Sequence, residues 1–494
     1  MFELTHFTRE QAALAVGLGI SVGGIALMNA VPMMSLPRVN RNLIPMRLRR
    51  RPGIEIARRF IPDEARLRHT HIVGATGTGK SALLEQILFQ DLKRGHGALI
   101  IDPKGDRRSF ERLKEYCRSI GREQDLYLLS ATYAGESVVW NPCRLGTSSE
   151  LQSKFYQSAI YSEPHYAKAC ELALIKIFKE LDATSETFGL IEVVAALDRY
   201  SRGGKDETVA GLYLDLRNLV ESEWAPLMGC ASSGLPELSI LDVVNDNKIL
   251  FVDLPTEGGG VQSARIGKLL LQEITLISGL RKLYPHLRSD KPFSVFVDEF
   301  DAFASPAFAT FLNKGRSSDF MIHLAHQTLS DLNRVSPDFM GQIMGNMTVR
   351  FIFRQDLPED AETWSKFFGT KRDTKRTYQT EGGQRNGMGT VREVQEFRVH
   401  PDMIKELKTG QCVFSVKGQK GAPELLKIPF KQIKTPPQTI EKAPKMRASH
   451  RVHGDSHSGA RSSQSQAQAM LDRGSHVASL LSDFGKQDSK EGEV

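Results

Sequence analysis

The stretch His71-Ile-Val-Gly-Ala-Thr-Gly-Thr-Gly-Lys-Ser81 decides how this chain is read. A short apolar run enters a glycine-rich turn, and Ala82-Leu-Leu-Glu-Gln-Ile-Leu88 continues with apolar residues at helical spacing. Gly74, Ala75, Thr76, Gly77, Thr78, Gly79, Lys80 and Ser81 fit the pattern G-x-x-x-x-G-K-[ST], in the strand, turn and helix context that the pattern requires. The glycines at 77 and 79 let the backbone curl its N–H groups around phosphate oxygens, and the following helix adds its positive N-terminal end. Lys80 is placed to reach the β and γ phosphates of ATP, and the Ser81 hydroxyl to ligate Mg²⁺.

A partner carboxylate stands downstream. Phe293-Ser-Val-Phe-Val-Asp298-Glu299 is a β-branched and aromatic run ending in two acids. Asp298 is expected to complete the Mg²⁺ site and Glu299 to polarise a water for attack on the γ phosphate. Between and after these motifs, 97–101, 248–253, 320–325 and 348–353 read as strands and Ser263 to Leu283 as a helix. The alternation predicts an α/β fold with a central, mostly parallel sheet covered on both faces, its ligands at the carboxyl ends of the strands. Asp102, Asp298 and Gln327 all fall where strands finish.

One long segment breaks the alternation. From Glu150 to about Leu235 the patterns are helical (156–160, 167–181, 190–200, 209–220), which predicts an all-helical domain at 150–235 inserted into a nucleotide-binding domain of 61–149 and 236–430.

Of the 494 residues, 65 are Lys or Arg and 58 Asp or Glu, for a net charge of +7. The excess is local. Between Arg38 and Phe60 eight arginines (Arg38, Arg41, Arg47, Arg49, Arg50, Arg51, Arg58, Arg59) face one acid, Glu55. That cluster alone equals the net charge, so the chain beyond residue 60 is close to neutral. The cluster follows an uncharged run, in which Ala12 to Met34 as a helix would be about 35 Å long at ~1.5 Å per residue, enough to cross a membrane. The segment 12–34 is therefore expected to be a transmembrane helix within 1–37. The arginines, as a basic juxtamembrane segment at 38–60, would put the rest of the chain in the cytoplasm. A cleaved signal peptide would instead want its basic residues before the apolar run. The five cysteines lie far apart with no Cys-x-x-Cys pair, which excludes a disulfide framework or a zinc ribbon.

Taken in order, the membrane segment, Gly74 to Ser81, Ile101-Asp-Pro-Lys-Gly-Asp106, the helical insertion, Val297-Asp-Glu-Phe300, and Gly315-Arg316 ahead of His326-Gln327-Thr328 resemble the type IV coupling proteins of conjugation systems, the TraD/TraG class. These belong to the FtsK/HerA branch of RecA-like P-loop ATPases, and the resemblance covers roughly residues 10 to 430. It implies a homo-hexameric ring at the bacterial inner membrane, binding ATP and Mg²⁺ at its subunit interfaces. Such a ring moves DNA, single-stranded with its relaxase attached, from the relaxosome to a type IV secretion channel. It further implies that Lys80 and Ser81 hold phosphate and Mg²⁺, that Asp298 completes the metal site and that Glu299 activates water. Gln327 would sense the γ phosphate and Arg316 would reach a neighbour's nucleotide. Without the resemblance, Arg316 reads as a solvated arginine beside Asp319 and Gln327 as a polar residue at a strand end. Many relatives carry two membrane helices where this sequence shows one.

DNA contact has the thinnest support in the residues themselves. From Gly369 to Arg392 the chain is polar, glycine-containing and basic, with Lys371, Arg372, Lys375, Arg376 and Arg385 able to meet phosphates. A surface hairpin at a subunit edge has the same composition. Two other functions remain open: a secretion-assembly or protein-translocating ATPase that handles no DNA, and a docking receptor in which nucleotide only stabilises the ring. Residues 431–494 are polar and poor in large apolar residues and are expected to be disordered, with Met470, Val477, Leu480, Leu481 and Phe484 as one face for a partner.

Overall fold

The computed structural model describes residues 51–429, apart from 162, 185–186, 230–233, 258–259, 382–383 and 419–422. The expected membrane span at 12–34, the arginines up to Arg50 and the tail from 431 lie outside these residues. Among the described residues no helix is long and apolar enough to cross a membrane.

The described chain opens with a hairpin, β1 (Gly53–Ile56) paired with β2 (Arg59–Pro62). Ile54, Ile56 and Ile61 are buried against the helix that follows the glycine-rich turn, so the nucleotide-binding domain begins near residue 53. The expected juxtamembrane segment therefore ends earlier than residue 60. Two alternating four-residue strands are too short to stand out beside so many arginines.

The next strands are β3 (Thr70–Val73), β4 (Gly97–Asp102), β5 (Leu126–Ser130), β6 (Ile249–Asp253), β7 (Phe293–Val297), β8 (Phe320–His326) and β9 (Val349–Ile352). A separate ribbon, β10 (Thr370–Glu381) with β11 (Gln384–Phe397), precedes β12 (Gln411–Val416) and β13 (Glu424–Lys427). Nine of them form one sheet in the order β13-β12-β9-β3-β8-β7-β4-β6-β5. The strands from β9 to β5 in that order run parallel, and β12 and β13 close one edge antiparallel. The sheet is mixed, and its two antiparallel strands had no counterpart in the sequence reading. Strands β6 to β9 are buried at every position because helices cover both faces. This is why they read as continuous apolar runs.

The helices used below are α1 (Lys80–Lys93), α2 (Arg107–Ser119), α3 (Ser148–Ser158), α4 (Pro164–Thr184), α5 (Leu190–Tyr200), α6 (Glu207–Val220) and α7 (Gly260–Leu283). The helices α3 to α6 form the insertion. Thr147 and Glu150 cap α3 reciprocally, which starts it eight residues before the expected Tyr156, and Pro164 opens α4. One hydrophobic core runs without a break from Phe155, Leu174 and Leu216 in the insertion to Leu270 on α7 and Val295 on β7. Within it Lys154 and Glu273 form a fully buried ion pair at 2.7 Å, and the indole of Trp140 donates to the same carboxylate at 3.2 Å. The insertion is thereby joined to the sheet domain by charge as well as by apolar packing.

Candidate functional site

The carboxyl ends of β3, β8, β7, β4 and β6 lie side by side, because Val73 pairs with His326, Ile101 with Val297 and Asp102 with Asp253. Each strand delivers a polar group to this edge. From β3 the chain turns through Gly74, where a side chain would collide with Phe353 Cβ at 2.5 Å, and Gly77, whose φ of +73° suits glycine. The Lys80 amine folds back and donates to the carbonyls of Gly74 at 2.6 Å and Ala75 at 3.1 Å. Burial lowers its pKa, opposed by Asp298. An incoming phosphate would offer this amine a stronger, charge-assisted acceptor than the carbonyls it now uses. Thr76 and Gly77 at the tip are exposed, and Thr78 is held by its hydroxyl to the Ala75 carbonyl at 2.7 Å.

Ser81, in the first turn of α1, donates to Asp298 Oδ2 at 2.7 Å, so the two groups expected to share Mg²⁺ are in direct contact across 217 residues of sequence. Hydroxyl and carboxylate oxygens of this kind suit a hard divalent cation that keeps most of its waters. Glu299 is half-buried beside them and stands in left-handed backbone at φ 44° and ψ 52°, a costly conformation for a residue with a side chain. Burial, with the Asp298 charge adding to it, raises its pKa, the direction that suits a general base. Gln327, just past β8, accepts a hydrogen bond from the Thr76 hydroxyl at 3.0 Å. A polar cavity of about 260 Å³ beside it is lined by Ala75, Thr76, Gln355 and Asp356.

Lys104 is the residue the sequence reading missed. Its ammonium lies 2.5 Å from Ser81 Oγ and is also paired with Asp298 Oδ2, so it is bonded to both expected metal ligands while they contact each other. Burial lowers its pKa, but Asp298 outweighs that and the net shift is upward. The signal was in the quoted run Ile101 to Asp106. Asp102 ends β4 and accepts from the Lys104 N–H at 3.0 Å, and Gly105, at φ +65°, turns the chain against Pro255. Burial, with Asp298 and Asp253 adding to it, pushes Asp102 up to about 6. Asp253, at the end of β6 and bonded by the Ser130 hydroxyl at 2.8 Å, was also missed.

Arg316 is not part of this constellation. It is exposed in the short turn before β8, at the amino end of the strand whose carboxyl end carries Gln327. Seven residues of strand separate the two by about 20 Å, so Arg316 has no reach to its own chain's site.

Two family models fall on the chain in order. Residues 54–187 match the "type IV secretion-system coupling protein DNA-binding domain", and residues 292–409 match the "TraM recognition site of TraD and TraG". Both models describe type IV coupling proteins, and the chain is similar to them over these two stretches. A curated relative is the type 4 coupling protein DotL of Legionella pneumophila, 23% identical over 420 residues that cover 69% of this chain and 53% of DotL. The chain thus spans about half the length of that relative. Among solved structures, the conjugative coupling protein TrwB without its first 70 residues and unbound superposes with a TM-score of 0.62 at 18% identity, covering 78% of this chain and 89% of that one. TrwB bound to the non-hydrolysable ATP analogue ADPNP gives 0.60 at 18% identity over 83% and 98%. Another TrwB structure holds ADP and Mg²⁺. These likenesses place the coupling-protein fold of the chain beside that of TrwB.

Proposed function

We propose that this chain is a coupling protein, an ATP-hydrolysing motor that moves DNA, with relaxase attached, from the relaxosome into a type IV secretion channel. The observation that carries the reading is the Ser81–Asp298 contact, with Glu299 next in the chain and Gln327 bonded to the glycine-rich turn. ATP with Mg²⁺ fits this edge: the turn and Lys80 would take the phosphates and Ser81 and Asp298 would hold the metal, whose chemistry there would be to draw charge off the phosphates. Glu299 would take a proton from the water whose oxygen bonds to the γ phosphorus as the bond to the β-phosphate oxygen breaks and ADP leaves with that electron pair, and Gln327 would register the γ phosphate.

Arg316, on the far end of its strand, acts on a neighbour's nucleotide in a homo-hexameric ring. The span at 12–34 anchors the chain in the bacterial inner membrane with the ATPase in the cytoplasm, and the arginines after it lie against anionic lipid headgroups. The ribbon β10–β11, about 40 Å long by strand rise, presents Lys371, Arg372, Lys375, Arg376 and Arg392 to solvent. It either meets DNA in the channel or packs on a neighbouring subunit.

A protein cargo without DNA is the second reading, favoured by the near-neutral charge beyond residue 60. DNA transfer between cells separates the two. Lys80→Ala or Glu299→Gln is expected to abolish transfer while leaving the protein expressed and folded, and transfer persisting in both variants contradicts the motor assignment.

A further inference from the structure

Away from the sheet edge, where the insertion meets the sheet domain, lies a cavity of about 590 Å³. Its walls come from the segment after α3, from α4, from α6 and from the first two turns of α7. On its floor two cations stand three residues apart on one face of α7, Arg265 and Lys268, both buried. One carboxylate answers them: Asp215 Oδ2 lies 3.2 Å from Arg265 Nη1, with its side chain a third exposed. The guanidinium donates once, to the Phe155 carbonyl at 3.3 Å, and its Nε and Nη1 have no hydrogen-bond partner among the described residues. Burial lowers the pKa of both cations. A buried guanidinium with unspent donors and a second ammonium beside it share one counter-charge between them.

The mouth is apolar. Ile160 and Val261 line it while 84% and 72% exposed, and Tyr161, Tyr166 and Leu212 continue inward. On the buried floor two cations against Asp215 leave one positive charge, while Glu207 balances it only from the exposed rim, so one monoanion entering the cavity neutralises the floor. Exposed Glu207 at the rim opposes every anion, and opposes a dianion or a nucleic-acid backbone more than a single carboxylate.

We propose that this cavity binds a carboxylate carried on an acidic side chain between apolar residues, presented by a partner protein docking on the insertion. The site stands near the nucleotide edge. The segment leading into α7 is bonded to the Lys104 loop through Leu254 N to Asp102 O at 2.9 Å and Thr256 N to Pro103 O at 3.0 Å, and Ser263 Oγ reaches Pro255 O at 2.7 Å.

The test is calorimetric titration of the full chain with acetyl-Ser-Leu-Glu-Phe-Ser-amide, with its Gln counterpart, with acetyl-Ser-Ser-Leu-Gln-Phe bearing a free carboxyl terminus, and with inorganic phosphate. A Lys80→Ala background keeps the glycine-rich turn from taking the anion. The Glu peptide is expected to bind at least tenfold tighter than the Gln peptide. Lys268→Met should erase that preference while raising the melting temperature of the free chain, because it removes a buried cation. Asp215→Asn, which leaves more positive charge unanswered, should strengthen Glu-peptide binding severalfold. Equal binding of the Glu and Gln peptides, or a preference that survives Lys268→Met, overturns the proposal. So does tighter binding of the free-terminus peptide or of phosphate, which would reassign the site to a chain terminus or to a phosphoryl group.

Discussion

The Lys104 ammonium is bonded to both Ser81 and Asp298, the two groups that would hold the metal. Metal entry therefore requires the lysine to leave, and Lys104→Met is expected to lower the Mg²⁺ concentration for half-maximal nucleotide binding severalfold. The same change removes the cation beside a buried carboxylate and should destabilise the metal-free protein by about 1–3 kcal/mol. Mg²⁺ titration and denaturant melts of the variant read both effects, and an unchanged Mg²⁺ requirement would mean that the lysine does not compete. Glu299 supports a second prediction. Its left-handed backbone strains any residue with a Cβ, so Glu299→Gly is expected to gain up to about 1 kcal/mol of stability while losing turnover at least a hundredfold. A loss of stability would show that the carboxylate holds the loop rather than serving the chemistry. Residues 74–81 were legible because the whole cradle is contiguous in sequence. Lys104 was not, since its partners are 23 and 194 residues away and only the turn at Gly105 brings them together.

At the scale of elements, the insertion and the sheet domain share Lys154 on α3 and Glu273 on α7. Lys154→Met alone leaves a buried carboxylate without its cation and is expected to cost about 3–5 kcal/mol. The double change Lys154→Met with Glu273→Leu should recover most of that, and a denaturant double-mutant cycle measures the coupling. Additive losses would indicate that the pair contributes nothing beyond its apolar stems. Sequence reading placed α4 to α6 to within three residues, because their apolar residues recur at helical spacing, while the starts set by Pro164 and the Asp206 cap went unread. It could not foresee the ion pair, since a lysine and a glutamate 119 residues apart carry no periodic signal. The hairpin of β1 and β2 escaped for a different reason. Its four-residue strands sit inside a charge pattern that points to a membrane surface, and only packing against α1 shows where Ile54 and Ile56 go.

Across the whole molecule, among the described residues, five buried histidines around the central strands, His71 among them, are held well below their ordinary 6.5. Burial puts His69, His96 and His326 at about 4 and His323 at about 3. Above pH 6.5 they are neutral in both folded and unfolded chains; as pH falls from 6.5 toward 4 the unfolded chain takes up protons that the folded chain refuses, so stability falls. Asp102, pushed up to about 6, and Asp253, Glu299, Asp301 and Asp360, also raised by burial, work in the opposite sense, so the loss expected is that of the five imidazoles less what these carboxyls return. Melting temperature is expected to drop steadily between about pH 6.5 and 5, and a flat profile there would contradict the burial of these imidazoles. The parallel sheet and its carboxyl-end site were legible from alternating apolar runs, whereas β13, a four-residue strand at the sheet edge, looks like loop, and β12, paired between β13 and β9, shows its place only once those neighbours are known. The motor assignment itself is tested most directly by the steady-state ATPase rate of the purified full chain with and without DNA, beside Lys80→Ala and Glu299→Gln. The account predicts turnover that DNA stimulates severalfold and that both variants abolish. Turnover indifferent to single- and double-stranded DNA alike would contradict DNA translocation, and turnover unaffected by Glu299→Gln would contradict the site.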